Sequence, residues 1–189
     1  MIQVLANRMA SYVAKNDDTA DQEILAYGYS LIIMAIVTYT TVIASAFLFG
    51  VLKEMIIAIC IFVVMRTAIG GCHANHRAVC LITYSGMLYL CIVLAGTIIF
   101  SWYVVFVLYA INVVLLTLYA PGDTVEQPMV KYRFMRKIFG LILISCIFAL
   151  YIFFGNMHTE INILLLVSTS TCVLLHPYIY RIYGCKKSS

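Results

Sequence analysis

Charged side chains are scarce in this sequence: only 11% of its 189 residues are Asp, Glu, Lys or Arg, split as 8 acidic and 12 basic. Soluble domains carry about 25%. The shortage leaves no polar surface for an extramembrane catalytic domain of any size, so any chemistry must sit at or inside a membrane. Familiar catalytic signatures are missing as well. There is no H-E-x-x-H pair for a zinc protease, no P-loop and no dinucleotide fingerprint. Ser85-Gly86 lacks the G-x-S-x-G setting of a nucleophile elbow. No cofactor is expected. Residues 1–23 are polar and hold no apolar run of the length a cleavable signal peptide needs.

What the chain has instead is apolar surface, 64% of its residues. A hydrocarbon core takes about 20 apolar residues per helical span, so six spans would use roughly 120. Uncharged runs extend from Ile24 to Leu52, Met55 to Met65, Ala78 to Gly122, Ile138 to Thr159 and Ile161 to Tyr180. The stretch from Ala78 is about twice a span, and Phe100-Ser101-Trp102-Tyr103 is its natural turn, because aromatic and hydroxyl groups suit an interface. The pattern predicts an all-α polytopic membrane protein with helices near 24–46, 50–67, 79–99, 103–120, 138–155 and 161–179. The whole chain, 1–189, reads as a single membrane domain: an N-terminal segment 1–23, a six-helix bundle 24–180 and a basic tail 181–189.

The net charge of +4 is topology rather than nucleic-acid binding. With these spans, Arg8 and Lys15, Arg66 and Arg77, Lys131, Arg133, Arg136 and Lys137, and Arg181, Lys186 and Lys187 fall on one side, leaving Lys53 alone on the other. The positive-inside rule then puts both termini and the 66–77 and 121–137 loops in the cytoplasm. Leu5, Met9, Tyr12 and Val13 share a helical face, so the N-terminal segment either lies along the inner membrane surface or is a frayed polar tail.

Seven cysteines, at 60, 72, 80, 91, 146, 172 and 185, are odd in number and scattered mostly through the spans, which argues against a disulfide framework. Cys60, Cys91, Cys146 and Cys172 read as small hydrophobes. Cys72 and Cys80 differ, because they flank a polar segment, Arg66 to Arg77, that holds His73, His76 and Gly70-Gly71. A nucleophilic cysteine works as the thiolate, and an imidazole or cation nearby favours that form. Polar groups beside lipid tend to be functional, although an ordinary wet loop has the same composition. A zinc site from Cys72, His73, His76 and Cys80 is disfavoured, since the four lack the paired spacing of structural sites.

The pattern Arg66-x6-His73-Ala74-x5-Cys80, with Gly70-Gly71 just before the histidine, resembles the AgrB family of quorum-sensing peptide processors. Tyr119-Ala120-Pro121, Pro128 and the basic run Lys131 to Lys137 resemble that family's central cytoplasmic loop, although Val125-Glu126-Gln127 stands where some members are strongly basic. The resemblance implies a bacterial cell-membrane cysteine endopeptidase with Cys80 as nucleophile, His73 as general base, and Arg66 and Gly71 in support. It implies a short AgrD-type precursor peptide as substrate, cut near its C-terminus and closed to a thiolactone or lactone. It also implies a homodimer, and the small residues Gly28, Ser30, Ala35, Ala44, Ser45 and Ala46 would allow close helix packing. For Arg66 three roles stand open: favouring the Cys80 thiolate, binding carboxylates of the precursor, or snorkelling to headgroups. Helix geometry alone favours a different base, because His76 lies four residues before Cys80.

A small peptide transporter or export partner is the competing class. Its case is thin, because the spans hold no acid or base near the midplane where an ion path would need one. Asn112 and Ser168-Thr169-Ser170-Thr171 are the polar features there, and such groups commonly hydrogen-bond within or between helices.

Overall fold

In the computed structural model the described residues are 2–15, 21–71, 77–122, 132–154 and 159–184; for Ile2, Leu31, Arg77, Ala78 and Cys80 only the backbone is described. They form helices throughout, with no strand among them. By packing they divide into two compact units, Met1–Val51 and Leu52–Ser189.

The first unit holds α1 (Ile2–Ala14) and α2 (Gln22–Leu48). On α1 the small residues Ala6 and Ala10 are fully buried, which lets it lie close against α2, while Val4, Leu5, Met9 and Tyr12 are exposed. An ordered helix with an exposed apolar face fits the interfacial reading of this segment better than a frayed tail. Asp21 starts α2, its Oδ1 accepting from the backbone N–H groups of Glu23 (2.9 Å) and Ile24 (3.4 Å). At the other end Gly50 takes φ +71°, Val51 N–H donates to Ala46 O and Gly50 N–H to Phe47 O. This left-handed glycine cap closes the helix.

The second unit contains α3 (Leu52–Ile69), α4 (Arg77–Thr97), α5 (Trp102–Tyr119), α6 (Arg133–Phe154), α7 (Thr159–Val173) and a short α8 (Pro177–Ile182). The expected turn near residues 100–103 is present, between Thr97 and Trp102. The Tyr151 hydroxyl donates to Phe100 O at 3.1 Å, and Phe100, Val105, Tyr151 and Leu165 form a buried cluster around it.

Helix directions follow from pairs of contacts. Cys91 lies 3.4 Å from Ser170 and Asn162 donates to Ala95 O, so α4 and α7 are antiparallel. Tyr109 meets Ser145 and Phe148, Phe106 meets Phe148, and Tyr151 reaches Phe100, so α5 and α6 are antiparallel as well. Lys53 and Glu160 form a 2.5 Å ion pair at the starts of α3 and α7. The ends of α3, α5 and α7 therefore gather with the starts of α4 and α6. Arg66, Arg77, Arg133, Arg136, Lys137 and Arg181 belong to that end, and Lys53 to the other, so the charge asymmetry read from sequence is carried by the packed unit.

Central to the unit is α7, which touches α3, α4, α5 and α6 and buries residues on every side, including Ser168 and Thr171. Three of its hydroxyls bond inside the helix. Ser168 and Thr169 donate to Leu165 O, and Thr171 to Val167 O, at 2.9, 2.8 and 2.7 Å. Thr169 also accepts from Asn112 Nδ2 at 2.9 Å, so the polar midspan residues serve helix packing.

Outward, α5 and α6 expose Phe106, Val107, Leu118, Phe139, Ile142 and Phe153, as an all-α membrane protein requires. By length and hydropathy α2, α5 and α6 suffice to cross a membrane, whereas Leu81–Thr97 and α7 are shorter apolar helices. Of the four cysteines read as small hydrophobes, Cys91 and Cys172 are buried, while Cys60 and Cys146 sit on exposed faces. The sixth expected span, 161–179, departs from the sequence reading. Its helix stops at Val173, and the chain turns through Leu174 to His176 before α8. Pro177 explains this, because proline lacks an N–H and steers the residue before it out of the helical region; His176 is accordingly extended, at φ −66°, ψ 134°.

Candidate active site

The segment singled out by sequence leaves the end of α3. That helix stops at Ile69 because Gly70 and Gly71 take φ +72° and +131°, values that residues with a side chain rarely adopt. Arg66 folds back over this turn. Its Nη1 donates to Gly70 O at 3.2 Å, while Gly70 N–H donates to Arg66 O at 3.0 Å. A guanidinium on the last carbonyls of a helix is favoured by the helix dipole. A Cβ at Gly71 would collide with that guanidinium. The structure thus gives Arg66 a local task beyond the three open from sequence: it clamps the turn that precedes His73.

A second contact holds the same turn from the other side. Gly71 N–H donates to Gly122 O at 2.9 Å and Gly122 N–H to Ile69 O at 2.8 Å, an isolated parallel bridge between residues 70 and 122. Gly122 follows the cis Ala120-Pro121 bond just beyond α5. There is no room beside it: a Cβ would lie 2.5 Å from the Tyr180 hydroxyl, 2.7 Å from Leu175 Cδ2 and 3.0 Å from Gly71 Cα. Nearby, Tyr119 packs edge-on to His176, ring centroids 5.4 Å apart. His176 Nδ1 caps α8 by accepting from Tyr178 N–H at 3.3 Å, which in the neutral ring places the proton on Nε2.

Two cations at the start of α6 complete this end. Arg136 donates to Thr67 O at 3.4 Å and Lys137 Nζ to Thr117 O, so each satisfies a carbonyl in the last turn of a neighbouring helix. Part of the basic run thus serves as capping charge for α3 and α5.

Cys80 occupies the first turn of α4, the fourth residue from Arg77. The positive end of a helix dipole there favours an anion. Cys72, His73, Asn75 and His76 lie outside the described residues, so the structure brings together Arg66, Gly70 and Gly71 of the sequence motif, with the Cys80 backbone nearby in the chain. Sequence reasoning missed Gly122, Leu175 and Tyr180 as their partners. Pro121-Gly122 and His176-Pro177 were the available signals, each marking a turn, but neither says which turn it meets.

A family model described as AgrB, accessory gene regulator B, matches residues 6–176. The chain belongs to the AgrB family. An AgrB-like protein of Clostridium acetobutylicum is 31% identical over 114 residues, covering 60% of this chain and 54% of that protein. The match therefore spans about half the relative's length. No solved structure matches the chain. The Arg66–Gly71 clamp now gains weight, since it sits inside the stretch that carries the AgrB pattern. Gly71→Ala is expected to break it, both by its φ of +131° and by the collision with Arg66, at a cost of about 1–3 kcal/mol. Thermal unfolding in detergent would register this as a lowered Tm. An unchanged Tm would show that the Arg66–Gly71 contact does not stabilise the fold.

Proposed function

We propose that this AgrB-family chain is a membrane cysteine endopeptidase that removes the C-terminal tail of a short AgrD-type precursor and helps close the remainder into a ring. Its base is His73 and its nucleophile Cys80. The observation that supports this most is the placement of Cys80 in the first turn of α4, in a chain whose Arg66-Gly71-His73-Cys80 pattern lies within the family match.

The Cys80 thiol gives its proton to His73, and the thiolate adds to the scissile carbonyl. The C–N bond then breaks, His73 returns the proton to the departing amine, and the tail leaves with a new N-terminus. The precursor stays on Cys80 as a thioester. An internal cysteine, or a serine, of the precursor attacks that carbonyl, forming a thiolactone or lactone and restoring the Cys80 thiolate, which recovers the proton given up by the attacking group. Exchange of one thioester for another is nearly balanced in energy, whereas a thiolactone made directly from an amide is uphill. Water must be kept from the thioester throughout, and a site at the membrane boundary favours this.

Incubating the detergent-purified chain with a precursor peptide tests the reading. The expected product is a hydroxylamine-sensitive adduct on the peptide that contains Cys80, its mass increased by the precursor without its tail. Precursor that is moved across vesicles with no adduct on the chain would overturn it in favour of a transporter.

The reading places the site, both termini and the Arg66 end of the bundle in the cytoplasm of a bacterial cell, with the chain acting as a homodimer. Ser101→Cys, in the turn at the opposite end, is expected to react with an impermeant maleimide added outside cells. Tyr178→Cys is expected to react only after permeabilisation. Both positions are exposed, and the reverse labelling would invert the topology.

A further inference from the structure

Beyond the clamp formed by Arg66, the turn that precedes His73 rests on a part of the chain far from it in sequence. Residues 175–180 form a hook after α7: Leu175 N–H donates to Cys172 O and His176 N–H to Val173 O, both at 3.0 Å, and Pro177 starts α8. Leu175 and Tyr180 are buried, at 2% and 6% exposure, and both close on Gly122. Gly122 in turn is bonded on both its N–H and its C=O to Ile69 and Gly71. A continuous set of contacts therefore runs from Tyr180 and Leu175 through Gly122 to the backbone two residues before His73.

Gly122 is the tight point in that set. Its φ is not left-handed, so an alanine is conformationally allowed there, and only space forbids it. A gap this small passes displacement on, because packed interiors have few voids to absorb it. The same segment is held a second time by Tyr119 on the His176 ring. A turn needed only to connect α5 to α6 would not require its glycine wedged between an aromatic side chain and another backbone.

We propose that the Leu175–Tyr180 hook is a positioning element for the peptidase reaction: by seating Gly122 against Gly70-Gly71 it sets the direction in which the chain departs toward His73, and hence the approach of His73 to Cys80. The hook is assigned no part in the chemistry itself. Its effect rests on the proposed His73–Cys80 pair, and it belongs in kcat rather than in precursor binding, since a base must be held within about 0.5 Å of its working position.

The test is the pH profile of Cys80 alkylation by iodoacetamide in the full chain in membranes, read peptide by peptide, together with precursor cleavage. With His73 in place Cys80 is expected to react at neutral pH, and His73→Ala to lower that neutral limb at least about tenfold. Gly122→Ala is expected to move the profile toward that of His73→Ala and to reduce kcat at least about tenfold, with KM within about twofold. Adding Tyr180→Phe, which removes the nearest of the three atoms the new Cβ meets while Leu175 Cδ2 stays in place, is expected to restore part of both. If His73→Ala leaves the profile as in the unmodified chain, the His73–Cys80 reading falls and the hook with it. If His73→Ala shifts it but Gly122→Ala does not, the hook alone is overturned. Should Gly122→Ala fail to accumulate, Leu175→Ala, which loosens the hook on Gly122, decides: a profile moved toward that of His73→Ala supports the positioning role, and one like that of the unmodified chain overturns it.

Discussion

Cys80→Ala is expected to abolish the covalent adduct and to lower precursor cleavage by at least about 10⁴-fold, because the acyl-enzyme route has no other first step. The chain retains six other cysteines, and for the four among the described residues the surroundings explain why none should substitute. Cys91 and Cys172 are buried, Cys91 against Ser170 on α7, where a thiolate would lack solvation. Cys60 and Cys146 lie on exposed faces of apolar helices, α3 and α6, away from any first turn. Among the cysteines of described helices, Cys80 alone is both in a first turn and at the basic end of the bundle. Cys80→Ser tests the same point with less perturbation: the shape is nearly kept, but a hydroxyl is a far weaker nucleophile, so cleavage should fall almost as far. Replacing the other six cysteines together with Ala is expected to leave adduct formation in place. Peptide mapping of the adduct checks all three variants, and an adduct on Cys72 would show that the register taken from the family pattern is wrong.

Much of this architecture can be read from the sequence, because a membrane span depends on composition along one segment. The breaks between α4 and α5 and between α3 and α4 follow from local features: interface residues at 100–103 in one case, two glycines in the other. The end of α7 is a counterexample with an equally local cause. The apolar run continues to Tyr180, and hydropathy carries the span with it, but the backbone at His176-Pro177 turns out of the helix. Hydropathy measures what a segment prefers to touch, not whether its hydrogen-bond ladder can continue. The site divides along a similar line. Arg66 and Gly71 were legible as a motif, yet the contact between them needs the helix end to be formed. Gly122 was legible only as a turn, because its role depends on Leu175 and Tyr180, more than fifty residues later. Likewise the basic run of Arg133, Arg136 and Lys137 suggested an anchor at the membrane surface, while the bonds from Arg136 and Lys137 to Thr67 O and Thr117 O appear only once α3, α5 and α6 lie side by side.

His73→Ala is expected to lose cleavage by about 10²–10⁴-fold, the usual range for removing a general base, and His76→Ala to retain most of it. Helix geometry on its own would argue the reverse. If α4 were extended backwards without a break, His76 would sit one turn from Cys80 and touch it, whereas His73 would be about 10.5 Å away along the axis at 1.5 Å per residue. Hydrogen-bond reach for a base is about 2.6–3.2 Å. The family pattern nevertheless points to His73, and the described backbone before it bears on whether the spacing of a straight helix applies. Two residues before His73 the chain is no longer helical: Gly70 and Gly71 are left-handed, clamped by Arg66 and paired with Gly122. The spacing of a straight helix applies to residues 73 and 80 only if one helix runs through both, and the described part of α4 begins at Arg77. The proposed reading assigns the placing of His73 to the anchor at Gly70-Gly71 rather than to α4. Cleavage assays and Cys80 alkylation on both single variants separate the two cases. Full cleavage by His73→Ala together with inactive His76→Ala would make His76 and Cys80 the reacting pair and α4 the element that aligns them.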